Sequence, residues 1–108
     1  MKQHEFTPSA VFTPASSIEY SDHAVVSKIV LKKPNGQVTL FAFDAGEELS
    51  EHTTPFDAMV HVADGTAEII IAGTSYSVPA GSSIIMPGGV PHAVKANVRF
   101  KMLLTMLK

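Results

Sequence analysis

The 108-residue chain contains no cysteine and no tryptophan. Without thiols there are no disulfide staples, no thiolate metal ligands and no cysteine nucleophile, so stability must come from packing. Charge is scarce as well: Asp, Glu, Lys and Arg make up 17 % of the sequence, and the formal net charge is −2. Without a basic excess the chain lacks the electrostatic footprint of a nucleic-acid or anionic-membrane binder. No apolar run approaches the roughly 20 residues of a membrane span. The stretch 1–21 scatters its apolar residues among Thr, Pro and Ser instead of gathering the ~7–15 of a secretory signal, so a cytoplasmic protein is expected. What is abundant is hydrophobic residues, at 45 %. That is too many for disorder and enough for one domain, which at this length buries about two thirds of its unfolded surface.

The chain divides at residue 22. Residues 1–22 carry Pro8, Pro14 and many hydroxyl side chains, with isolated apolar residues at Phe6, Val11, Phe12 and Ile18. They read as an extended arm that lies on something else. Residues 23–108 are different: short apolar segments recur every ten residues or so, bounded by Gly, Pro or Asn. They are Ala24–Lys33, Gln37–Asp44, Phe56–Ala63, Thr66–Ala72, Ser75–Val78, Ser82–Met86, His92–Lys95 and Val98–Leu107. Such spacing indicates an all-β sandwich or barrel. The last segment is apolar at both parities, as in a strand buried on two faces.

Asp64-Gly65 is a turn signal between two of these segments. A two-residue hairpin loop there places Val62 with Ala67, Val60 with Ile69 and Ala58 with Ile71 on one apolar face. His61 then stands opposite Glu68 on the other, and Met59 opposite Ile70. A register slip would exchange the faces, so the expectation is sharp.

Cysteine being absent, the five histidines are the main chemical leads. His4 and His23 fall in or beside the arm and read as surface residues. His52 and His92 sit in two spaced motifs. Residues 46–58, GEELSEHTTPFDA, followed by Gly65, and residues 81–92, GSSIIMPGGVPH, resemble the two conserved motifs of the cupin superfamily. The first cupin motif is Gly, five residues, His-x-His, three or four residues, Glu, six residues, Gly. The second is Gly-x5-Pro-x-Gly-x2-His, closed by an Asn that is Ala96 here, with Asn97 one place late. The resemblance spans Ala24 to Leu107. It implies an all-β, single-domain double-stranded β-helix, a jelly-roll barrel, with the extended arm added at its N-terminus.

In the cupin pattern, three histidines and a carboxylate converge inside the barrel on one divalent transition metal (Fe, Mn, Ni, Zn or Cu). Two of the four positions depart from it. His52 and His92 match, but Thr54 replaces the second histidine and Ala58 the carboxylate, or Met59 under the longer spacing. Neither Ala nor Met is a ligand for a hard or borderline metal. Asp57 adjoins the carboxylate position but has the opposite parity, and so does His61. The clustered Glu47, Glu48 and Glu51 read as a solvated loop. Pro87-Gly88-Gly89 lacks the Lys-Ser/Thr of a phosphate cradle.

These residues imply a small cupin that binds a small, neutral or partly apolar ligand, with a partly lost metal site at His52 and His92. The expected contacts are His52, Thr54, Ala58, Val60, Met86 and His92, with Val62, Ile69, Ile71 and the Phe100/Met102 strand as further apolar wall. The alternative is a metal-dependent cupin enzyme of oxygenase, isomerase or lyase type, water or substrate completing the shell. A third is a regulatory module without chemistry. The resemblance also implies a homodimer, and the charge balance and short apolar runs imply no nucleic-acid or membrane partner.

Overall fold

A computed structural model describes residues 6–108; His4 lies outside them. Eight strands follow one another: β1 (Val25–Lys33), β2 (Gly36–Phe43), β3 (Glu48–His52), β4 (Asp57–Ile71), β5 (Thr74–Pro79), β6 (Ser83–Met86), β7 (His92–Lys95) and β8 (Phe100–Leu107). All pair antiparallel, in two sheets. The larger runs β1-β2-β8-β4-β6, and the smaller runs β3-β7-β4-β5. β4 belongs to both, its first half paired with β8 and β6 and its second with β5 and β7. This is the jelly-roll barrel that the motifs imply.

The hairpin expected at Asp64-Gly65 does not form. Those residues lie inside the 15-residue β4, where a bulge between Val62 and Asp64 and a left-handed Gly65 (φ +73°) bend the strand from one sheet to the other. A Cβ at residue 65 would sit 2.0 Å from the carbonyl oxygen of Arg99, so only glycine fits this corner. The tight hairpin is one signal later. Ala72 (φ 50°) and Gly73 (φ 81°) join Ile71 to Thr74 in the two-residue loop that matches strand twist.

The faces nevertheless come out as read, because a one-residue bulge changes parity just as a hairpin loop does. Val60, Val62, Ala67 and Ile69 are wholly buried in the barrel, and His61 and Glu68 are not. His61 and Glu68 are not partners, however. His61 Nδ1 lies 2.8 Å from the Ser83 hydroxyl, while the Glu68 carboxylate accepts from Ser75 and Asn97. Those two donors hold the Glu68 carboxyl below its ordinary pKa. Met59 and Ile70, expected across from each other, fall on the outer faces of different sheets.

Inside, Phe43 stacks on Phe100 with ring centroids 4.5 Å apart, and both are fully buried with Met102. Burial of large apolar side chains is the main stabilising term. A second, smaller core lies outside the barrel, where the arm crosses the larger sheet. Ile18, 1 % exposed, packs on Leu40 and Ala42, with Tyr20, Val26, Val30 and Leu103 around it. Lys101, buried on the same face, donates to the carbonyl of Ala15. The Tyr20 ring lies under Lys101 and Arg99 at 4.8 and 5.2 Å, within cation–π range, and its hydroxyl donates to Asp64. Burial and the Asp64 carboxylate push the Tyr20 phenol pKa upward.

The arm joins the barrel through Asp44. Its carboxylate accepts from Arg99 Nε (2.7 Å) and from the backbone N–H groups of His23 and Ala45. His23 is exposed, as expected, and holds a left-handed φ of 57°. With Arg99 as the first cause, the Asp44 pKa falls to about 2.

Two outcomes are expected. Ile18→Ala should lower unfolding free energy by about 2–5 kcal/mol in urea titrations, as for other large-to-small core changes. A carboxyl with a depressed folded pKa contributes stability at pH values above its unfolded pKa, and that contribution fades as pH falls through the folded value. Thermal melts should therefore weaken between about pH 4 and pH 2, and Asp44→Asn should flatten this limb.

Candidate functional site

Two short loops define the site. Residues 53–56 connect β3 to β4, and residues 87–91 connect β6 to β7. They are stapled together: Gly89 N–H donates to the Thr54 carbonyl (2.7 Å) and Gly88 N–H to Asp57 Oδ1 (2.8 Å). A Cβ on Gly88 would lie 2.6 Å from the Pro55 carbonyl oxygen, so the close approach needs glycine. At one end of the paired loops His52 stands across from His92. At the other, Ala58 stands across from Met86.

The two imidazoles meet edge to face, ring centroids 4.4 Å apart. His92 is buried (6 % exposed), and His52 is exposed at the rim. Each Nδ1 faces a backbone carbonyl two residues back, Ser50 at 2.8 Å for His52 and Val90 at 3.3 Å for His92. A carbonyl can only accept, so each neutral ring carries its proton on Nδ1 and keeps Nε2 as an acceptor. Two lone pairs are thus oriented in neighbouring rings.

Of the other expected contacts, Ala58 and Val60 lie on the inner face of β4 and Met86 on that of β6, all buried. Thr54 is half-buried, and its hydroxyl donates to the Phe56 carbonyl at 3.3 Å. Phe100, Met102, Val62 and Ile69 are wholly buried in the packed core, with no surface left to line a cavity. The apolar residues packed against this core and still partly open are Val25, Phe41, Leu49, Ile71, Ile84, Leu104 and Met106. Leu104 and Met106 pair with Val60 and Ala58.

The sequence reading passed over two interior polar residues. Gln37 and Thr39 share the inward parity of Phe41 and Phe43, and the Gln37 amide donates to the Thr39 hydroxyl at 2.9 Å. Period-two alternation counted back from Phe43 would have found them. Glu48 and Glu51 belong to β3 rather than to a loop, although both are exposed as expected.

The family profile described as "Cupin domain" matches residues 39–106, more than half of the chain. The chain belongs to the cupin family. Among solved structures, this cupin resembles a conserved protein of unknown function from Streptococcus pyogenes. That protein is 33 % identical, with a TM-score of 0.91, and the match covers 96 % of this chain and 91 % of the other. A cupin 2 conserved barrel domain protein from Leptotrichia buccalis is 39 % identical with a TM-score of 0.84, over 87 % of this chain and 46 % of that one. A cupin superfamily protein from Desulfitobacterium hafniense is 25 % identical with a TM-score of 0.89, over 99 % and 98 %. No functionally curated protein matches the sequence. No helix among the described residues is long and apolar enough to cross a membrane.

The donor set does not fit the metal that the cupin pattern implies. Among the described residues no three His, Asp or Glu side chains converge. Thr54 is turned to a backbone carbonyl, Asp57 is held by Gly88, and Ala58 has no donor atom. Two imidazoles remain, half of a tetrahedral shell.

Rebuilding the missing donors should reverse this. The double variant Thr54→His/Ala58→Glu should bind Ni²⁺ or Zn²⁺ on the order of hundredfold more tightly than the native chain by calorimetry, since second-shell changes alone shift affinity 10–100-fold. Equal affinities would place the two positions away from the histidine pair.

Proposed function

We propose that this cupin binds a small, neutral, partly apolar molecule that carries a hydrogen-bond donor, held at the open end of the barrel by His52 and His92. The observation that carries the reading is the histidine pair itself. Both Nδ1 atoms are committed to backbone carbonyls, so both rings offer an Nε2 acceptor in one place. A donor group such as a hydroxyl or amide satisfies such acceptors.

The second support is that the carboxylate position of the first motif is uncharged here. Ala58 stands in place of a carboxylate, with Met86 and Met106 as its cross-strand neighbours. Two acceptors with no carboxylate at residue 58 favour an uncharged ligand, because a charged one would lose its hydration without a counter-ion. Leu104 and Phe41, partly open on the inner side, would extend an apolar wall inward, and Thr54 lies in the loop between β3 and β4. Ligand pockets of this kind combine apolar walls with a few placed polar groups. The metal-dependent reading rests on the same two imidazoles, and the donor chemistry around them does not favour it.

The test uses methionine methyl and histidine ring signals in NMR. Phenol, short alcohols and primary amides serve as probes. At least one should shift Met86 and Met106 together with the ring nitrogens of His52 and His92, and leave the exposed Met59 unmoved. His52→Ala and His92→Ala should each weaken that probe at least tenfold. Binding that survives both substitutions, or no probe moving these signals at millimolar concentration, would overturn the proposal.

A further inference from the structure

The outer face of the smaller sheet carries a polar cleft, away from the barrel interior. On β4, Thr66 and Glu68 face outward because Ala67 and Ile69, their chain neighbours, point into the core. Ser77 of β5 stands directly across from Glu68, and Ser75 lies one position along on the same face. Asn97 and Val98, in the connection from β7 to β8, form the other side. The cleft between these six residues holds about 450 Å³, inside the roughly 300–1,000 Å³ of small-molecule sites.

Asn97 reaches this cleft through a one-residue displacement. The second motif closes on an asparagine where this chain has Ala96, which is 3 % exposed and packed in the barrel core. Asn97, the next residue, is turned outward, and its Nδ2 donates to Glu68 Oε1 at 2.9 Å. Ser75 Oγ donates to the other carboxylate oxygen at 2.7 Å. The carboxylate is thus held from two sides, and each oxygen keeps a lone pair for a further donor. A carboxylate only accepts, so the Asn97 amide nitrogen faces it and the amide oxygen is left as another acceptor. The Thr66 and Ser77 hydroxyls bond to no other side chain among the described residues, and each can donate as well as accept.

We propose that this cleft binds an uncharged polyol of monosaccharide size, at a site separate from the histidine pair. Ligand hydroxyls donate to Glu68 and Asn97 and accept from Ser77 and Thr66; a group that only donates uses half of that set. The Glu68 charge does not call for a cation, because Lys95 stands beside it in register on β7. Val98, 51 % exposed, offers an apolar contact to the C–H face of a ring. His92 pairs with Ile71, three positions along β4 from Glu68, and an odd separation puts the two on opposite faces of the sheet.

The experiment is two-dimensional NMR of the full chain, titrated with glucose, galactose, mannose and myo-inositol to about 100 mM. At least one should shift the amide signals of Glu68, Ser77, Asn97 and Val98 and leave those of His52 and His92 in place. Glu68→Gln keeps the shape and removes the charged acceptor, so it should weaken that polyol about tenfold or more. Ser77→Val and Asn97→Ala, both at exposed positions, should each weaken it about threefold or more. His52→Ala, on the other face, should change it by less than about twofold. Methylammonium is the cationic control. Tighter binding of methylammonium than of every polyol would make this a cation site and overturn the proposal. So would a titration in which no polyol moves these signals, or binding that survives all three cleft substitutions.

Discussion

The fold depends on one strand being allowed to turn a corner. β4 supplies hydrogen bonds to four other strands, two in each sheet. It can do so only by bending at Gly65, where the backbone of Arg99 and Phe100 fills the place of a side chain. The bulge beside it changes parity, so Val62 before the bend and Ala67 after it both point inward. Without that change half of the strand would turn its apolar side chains to water. The β5–β6 turn locks the corner, with Ala80 and Gly81 donating to Gly65 and Val62. Barrel closure, core composition and the position of Ala58 all follow from this bend.

The same logic of closely held backbone builds the site. Gly88 and Gly89 bring one loop against the other, and the staple sets the distance between the histidine pair and the Ala58–Met86 pair. What the loops present is then decided by side chains. Thr54 and Ala58 remove an imidazole and a carboxylate from the places where the family keeps them. The electrostatic character of the site changes from anionic to neutral while its scaffold stays intact. A scaffold retained without two of its four donors is poorly suited to tight coordination of an ion.

Much of this was legible because two residues on one strand face must differ by an even number. Parity assigned Val60, Val62, Ile69, His61 and Asp57 to their sides, and the motif spacing brought His52 to His92. The hairpin at Asp64-Gly65 misled because Asp-Gly is equally at home in a tight turn and in a bulged bend. Local residue types do not say whether the next strand folds back or continues into another sheet. The partner of His61 was lost with that hairpin, since cross-strand neighbours follow from topology and not from parity. Ser83, its real neighbour, lies 22 residues away. β3 was missed because Glu48, Ser50 and Glu51 look like a loop; the pairing of Leu49 with Val94 makes it a strand.

The arm shows how part of an outer sheet face can be covered by the chain's own N-terminal segment. Over Leu40 and Ala42 the chain covers its own sheet, and it anchors there with polar contacts. Lys101 reaches a backbone carbonyl, and Tyr20 lies under two cations with its hydroxyl on Asp64. These contacts have defined directions, so they fix where the arm lies as well as that it binds. The outer row Leu31–Val38–Thr105–Met59–Ile85 lies beyond these anchors, and its side chains are apolar apart from Thr105. Val30 and Leu31, adjacent on β1, show the boundary: the bulge after Ile29 lets Val30 pack against the Ile18 cluster while Leu31, 56 % exposed, stands at the margin of the arm beside Phe6 and Pro8. One extra residue in an edge strand thus keeps two successive side chains on the outer face, one covered by the arm and one at its margin.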